Sequence, residues 1–188
     1  FNSMLLKSNW FCKRIYVLVG CITVLCACKV VIIRGNAFEY LPTDQKVMVK
    51  PLESFAALDT NKIYEITGQA LLKELNKHDQ SLVYVFKSGC TSENCVPLAI
   101  VEDYAKEQHL NLFLVLSSYS KLELTLEQKT NAPLFAINAA HYGNPNNSKY
   151  VQAFLDELGY QQVLSQSKLS GSYLFFKGSK LVEIKQKF

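Results

Sequence analysis

Two thiols stand out as the residues that could do chemistry: Cys90 and Cys95, in the stretch Ser81-Leu-Val-Tyr-Val-Phe-Lys-Ser-Gly-Cys-Thr-Ser-Glu-Asn-Cys-Val-Pro97. An apolar run of strand character leads into them and an amphipathic stretch follows. The nucleophilic form of a cysteine is the thiolate, and the start of a helix favours it because the helix N-terminus carries a partial positive charge. Lys87 pushes the same way, and Glu93 pushes against it. On a helix, residues spaced Cys-x4-Cys would point about 140° apart, with their Cα atoms too distant for a bond. Pro97 fits the first turn of a helix, which leaves both thiols in the preceding loop, free to close. Two uses of such a pair stay open: a redox couple, or a disulfide that staples the loop in an oxidising compartment.

The chain has six cysteines, and the other four, Cys12, Cys21, Cys26 and Cys28, lie in or beside an N-terminal apolar stretch, where cysteine usually acts as a small hydrophobe. One close pair in the remaining chain does not read as a disulfide scaffold. His78, His109 and His141 fall at the ends of expected elements and read as solvated or capping groups, so no metal site and no cofactor is expected. Tyr142-Gly-Asn-Pro-Asn-Asn-Ser148 reads as a turn, and Phe175-Phe176 as core and sheet face.

The elements that must position the pair follow from periodicity. Lys62 to Thr67 alternates as a short strand, and Leu71, Leu72 and Leu75 share one face of a helix over Gln69 to Lys77. Ser81 to Phe86, Asn111 to Leu116 and Ala132 to Asn138 are continuous apolar runs, the pattern of parallel strands covered on both faces. Between them, Pro97 to His109 carries a stripe of Leu98, Val101 and Ala105, and Leu122 to Lys129 reads as a helix. A further helix holds Tyr150, Val151, Phe154, Leu155 and Leu158. Asn146, Asn147 or Ser148 caps its start and Gly159 follows its end. Ser172 to Ile184 gives two strands joined at Gly178-Ser179. Strands alternating with helices and closed by a hairpin predict an α/β sandwich with a central mixed sheet.

Ahead of this domain, Ile15 to Ile33 is nineteen residues with a single charge, about enough to cross a bilayer as a helix. Lys7, Lys13 and Arg14 precede it and keep the N-terminus cytoplasmic, so the domain is expected across the membrane. Residues 1–34 read either as an uncleaved signal anchor or as a signal peptide. In the second case Leu25-Cys-Ala-Cys28 resembles a bacterial lipobox, with Cys28 the lipidated residue. Residues 35–61 show no sustained periodicity and read as a tether, leaving 62–188 as the domain. The formal charge of +4 is spread without a basic run, which excludes the footprint of a nucleic-acid binder.

A strand, a two-cysteine loop, a helix, a strand and a helix, ending in the hairpin Ser172-Tyr-Leu-Phe-Phe-Lys-Gly-Ser-Lys-Leu-Val182, resemble the thioredoxin fold. The likeness covers about residues 62–186. The additional strand and helix between Asn111 and Tyr160 are similar to the membrane-attached, TlpA-like or redoxin branch of that superfamily. The chain departs from it in two places. Gly89 stands beside Cys90 where the active family has Trp, and the place of the family's cis-proline falls on Gly171-Ser172, with Ala132-Pro133 the other candidate. Gly89-Cys90-Thr91 with Cys95 also resembles the peroxidatic and resolving pair of peroxiredoxin Q proteins, though Lys87-Ser88 replaces the family's preceding Pro and Thr. The Sco-type copper chaperones are less similar: their spacing is one residue shorter, and this chain has no His near the terminal hairpin.

The resemblance implies a membrane-attached, extracytoplasmic protein at the periplasm or cell surface, with Cys90 as attacking thiol, Cys95 as resolving thiol and a protein thiol or disulfide as partner. It equally allows a non-catalytic subunit of an envelope assembly, held by a structural Cys90–Cys95 disulfide.

Overall fold

Three consecutive apolar runs decide the architecture, because a strand with apolar side chains on both faces is stable only when helices cover both faces. In a computed structural model of the chain, the described residues are 37–89, 96–144, 146–167 and 172–187. The elements are α1 (Thr43–Lys46), β1 (Val49–Pro51), β2 (Ile63–Ile66), α2 (Gly68–Leu75), β3 (Gln80–Phe86), α3 (Leu98–Glu107) and β4 (Asn111–Leu116). They continue with α4 (Leu122–Leu126), β5 (Leu134–Ile137), α5 (Asn147–Glu157), α6 (Tyr160–Ser167), β6 (Tyr173–Lys177) and β7 (Lys180–Lys185). A 3-10 turn at Phe38–Tyr40 precedes α1.

Among the described residues the strands form one seven-stranded sheet in the order β1-β2-β5-β4-β3-β6-β7. Neighbours from β1 to β3 are parallel, whereas β6 runs antiparallel to β3, with Leu82 opposite Phe175, and β7 antiparallel to β6. This is the expected α/β sandwich with a central mixed sheet. Alternate side chains point to opposite faces and make two cores. Val83, Val85, Phe113, Val115, Phe135 and Ile137 meet α2 and α5 through Leu71, Leu75, Tyr150 and Phe154. On the other face Leu82, Tyr84, Phe86, Leu114, Leu116 and Leu134 meet α3 and α4 through Leu98, Val101, Ala105 and Leu122.

The right-handed crossover explains that split. The chain moves across the sheet one way from β2 to β3 through α2, then steps back from β3 to β4 and from β4 to β5 through α3 and α4, so these helices fall on the opposite face from α2.

Within the stretch read as a tether, residues 37–61 have structure of their own. Its β1 pairs with β2, Val49 opposite Ile63, and Leu52, Phe55 and Leu58 pack against the α2 and α5 side of the core. A three-residue edge strand ending in Pro51 has no periodicity to detect, which is why it reads as a tether in sequence. Helix α6, just beyond Gly159 at φ 80°, is a second element the pattern does not predict. Residues 1–34, with the candidate membrane or signal segment and Cys28, lie outside the described residues. Among the described residues no helix is long and apolar enough to cross a membrane.

Candidate functional site

At the C-terminal end of β3 the chain passes from a buried aromatic, Phe86, to an exposed Lys87 and then to Ser88, which is only 2% exposed. A buried hydroxyl must be paired. Ser88 Oγ donates to the Lys121 carbonyl at 3.0 Å and lies 2.8 Å from Thr125 Oγ1. The single Ser88 proton is committed to the carbonyl, so Thr125, itself 1% exposed, donates to Ser88. Gly89 follows at φ 65° and approaches Lys121 so closely that a Cβ placed on it would lie 2.6 Å from the Lys121 Cβ. Lys121 itself has φ 58°. Glycine is therefore required at 89 for conformation and for space.

Cys90 and Cys95, with the four residues between them, lie outside the described residues. The described chain resumes at Val96. Pro97 occupies the cap position before α3, with φ −55° and ψ 142°, one place earlier than the first helical turn where the sequence puts it. Its ring offers no side-chain acceptor, and the Leu98 N–H instead donates to Gln128 Oε1 at 3.0 Å. Ile100 and Val101 close back on the Pro97 carbonyl.

Tyr84, Phe86, Lys87, Val96, Pro97, Leu98 and Gln128 line a recess of about 200 Å³ between the two ends of the segment. Two of its lining residues, Phe86 and Tyr84, belong to an aromatic stack. Phe86 lies 5.1 Å from Tyr84, and Tyr84 lies 4.5 Å from Tyr173 with the rings 3° from parallel. Burial pushes both phenols up from their ordinary value, so they remain protonated at neutral pH. Exposed Lys87 precedes Gly89 by two residues, and the Lys121 side chain packs on Gly89, the last described residue before Cys90.

The two places considered for a proline-like position separate clearly. The Ser172 carbonyl accepts from Val85 N at 2.9 Å, so the start of β6 lies against the end of β3. Pro133 precedes β5, which runs parallel to β3 two strands away, and so belongs to the opposite edge of the sheet from the C-terminal end of β3. Among the described residues no peptide bond is cis.

A second polar group occupies the same C-terminal edge. Tyr119 donates to Glu65 Oε1 at 3.2 Å, and burial raises the Glu65 carboxyl while this hydrogen bond partly lowers it. On the opposite face, Tyr142 donates to Glu157 Oε2 at 2.7 Å and accepts from Gly68 N at 3.0 Å, and Gln69 N donates to the same carboxylate at 3.1 Å. Tyr142 thus belongs to a structural knot and not to a plain turn. The histidines are dispersed: His78 sits 3.5 Å from Glu74, His109 follows α3 with φ 55°, and His141 packs edge-on to Tyr142. No group of three His, Asp or Glu able to hold a metal occurs among the described residues.

Sequence reasoning finds the thiols and Lys87 but misses Ser88, Lys121, Thr125 and Gln128, whose partners lie about thirty residues away. Only the Ser-Gly step before Cys90 hints at a constrained turn. No known family model, curated protein or solved structure matches this chain.

Proposed function

We propose that the chain is a membrane-attached, extracytoplasmic protein of thioredoxin-like fold that carries out thiol-disulfide exchange through Cys90 and Cys95. One observation carries this reading. The segment holding both thiols is fixed at its two ends, between the C-terminal end of central strand β3 and the first residue of α3, on the side where β6 joins β3. Ligand sites of parallel α/β sheets form at that edge. Cys90 attacks a partner disulfide, one partner sulfur leaves as thiolate and takes up a proton, and Cys95 then displaces the second sulfur to close the Cys90–Cys95 bond. The partner gains two electrons and two protons, and the pair loses them.

The test is a Cys90→Ser variant assayed for insulin disulfide reduction alongside thermal unfolding. The expected result is abolished activity at unchanged stability. A wild-type potential far below about −300 mV, with sluggish reaction toward dithiols, would sink the reading, because structural disulfides resist reduction in that way. Mass spectrometry of membrane-extracted protein separates a lipid on Cys28 from an intact anchor; a mature chain beginning beyond residue 34 with no lipid defeats the attachment.

A second reading has its own support. The Leu98 N–H, the first donor of α3, is occupied by Gln128 and so does not serve a thiolate. On that reading the pair is a structural disulfide in a non-catalytic subunit of an envelope assembly. The Cys90→Ser variant then unfolds at lower temperature and has no activity to lose.

A further inference from the structure

The chain enters the described domain at Ala37, and between residues 37 and 47 it leaves two large hydrophobic side chains outside. Tyr40 is 61% exposed and Val47 55%. They flank α1, a helix of four residues and so only about 6 Å long, and belong to one small part of the surface. Their neighbours face inward. Phe38 meets the Tyr119 ring edge-on at 5.8 Å, and Leu41 is buried in the core on the α3 and α4 face. Lys46 lies over the Phe38 ring, 5.9 Å from its centre, and its Nζ donates to the Glu39 carbonyl at 2.8 Å. Beyond Val47, β1 ties the segment to β2. The segment is thus pinned to the domain from within while Tyr40 and Val47 stay in the open. We propose that this surface, centred on Tyr40 and Val47, docks on the headgroup layer of the bilayer that carries the chain and holds the domain against the membrane. The inference rests on the membrane-attached reading above and uses nothing of the cysteine pair.

Chain length and side-chain chemistry choose lipid as the occupant. The candidate span ends at Ile33, four residues before Ala37, and the candidate lipidated residue Cys28 is nine residues before it. Those lengths of chain reach at most about 14 Å and about 32 Å. An attached chain therefore keeps Tyr40 within short reach of the headgroups. A tyrosine suits that layer, because its ring is apolar and its hydroxyl meets water. The charges of the segment balance, Glu39 and Asp44 against Lys46 and Lys50, which fits a zwitterionic headgroup layer and asks for no anionic lipid. Two side chains hold a free domain to a bilayer only weakly. On so short a connection the effective concentration reaches about the millimolar range, and weak contacts are enough.

The experiment places a single tryptophan at an exposed position of the full chain, in a Trp10→Phe background that removes the one native tryptophan. Each variant is reconstituted in phosphatidylcholine vesicles with and without brominated acyl chains, and bromine quenches a tryptophan that reaches the lipid. Tyr40→Trp and Val47→Trp are each expected to lose emission about twofold. Val182→Trp should keep its emission, since Val182 is 42% exposed on β7, at the other border of the sheet from β1 and about 29 Å across it. Equal quenching at all three positions, or none at 40 and 47 in a chain that floats with the vesicles, overturns the inference and leaves the attachment standing. A Tyr40→Trp side chain shielded from acrylamide yet untouched by brominated lipid marks a second copy of the chain as the occupant and overturns it likewise. A full chain that does not float with the vesicles removes the attachment and the inference together.

Discussion

Two helices of this fold begin at the same edge of the sheet, on opposite faces, and their starts are built differently. At α2 each of the first three N–H groups has a side-chain acceptor: Gly68 donates to the Tyr142 hydroxyl, Gln69 to the Glu157 carboxylate and Ala70 to Thr67 Oγ1. One of those acceptors is charged, and charge-assisted bonds are roughly twice as strong as neutral ones. At α3 the cap residue is a proline with nothing to offer, and a neutral amide from Gln128 meets Leu98. The first start is closed by the fold itself. The second is braced from α4 and follows the cysteine segment in the chain, so of these two helices the one with the weaker capping of its own is the one that comes next after the candidate residues.

That contrast can be broken by substitution. The largest effect should come from Glu157→Ala, which strands the Gln69 N–H and the Tyr142 hydroxyl and is expected to cost about 3 kcal/mol in urea unfolding; a loss below about 0.5 kcal/mol would mean the α2 knot is not fixed by the carboxylate. Next is Gly89→Ala, expected to cost about 2 kcal/mol through its left-handed backbone and the contact with Lys121. Adding Lys121→Gly should return part of that, since it removes the opposing Cβ and relaxes a second left-handed residue. No recovery in the double variant would place the strain elsewhere.

The smallest effect concerns pH. Burial raises the Glu65 carboxyl above its ordinary 4.5, so the folded state holds this proton more tightly than the unfolded chain does. The stabilisation is therefore full below the ordinary carboxylate range and fades as pH rises through the raised folded value. Glu65→Gln, neutral throughout, should gain on the wild type as pH rises from 4 to 7, and a stability difference flat across that range would show that the shift is absent.

The sequence was most informative where burial is two-sided. The runs Ser81–Phe86, Asn111–Leu116 and Ala132–Asn138 match β3, β4 and β5 closely because a covered parallel strand has no polar face to disguise it. Elements held by pairing or by neighbours left no such mark: β1 is three residues long, and α6 depends on its place beside β7. The order of strands was not readable either, since β5 enters between β2 and β4 far from β2 in sequence. At the site, the local pieces were legible and the ties were not. A serine before a glycine looks like any turn until Thr125, thirty-seven residues on, is found against it.

Among the described residues, the two outermost strands of the sheet, β1 and β7, carry a further consequence. An exposed edge of unpaired backbone groups invites a strand from another molecule, and the hazard grows with crowding. Here one border is only three residues long and ends in Pro51. The other, β7, bears Lys180, Glu183 and Lys185 and meets β6 through a register shift at Phe175 and Phe176. Neither border offers a flat template, so many copies can stand side by side without their sheets fusing into a continuous ribbon.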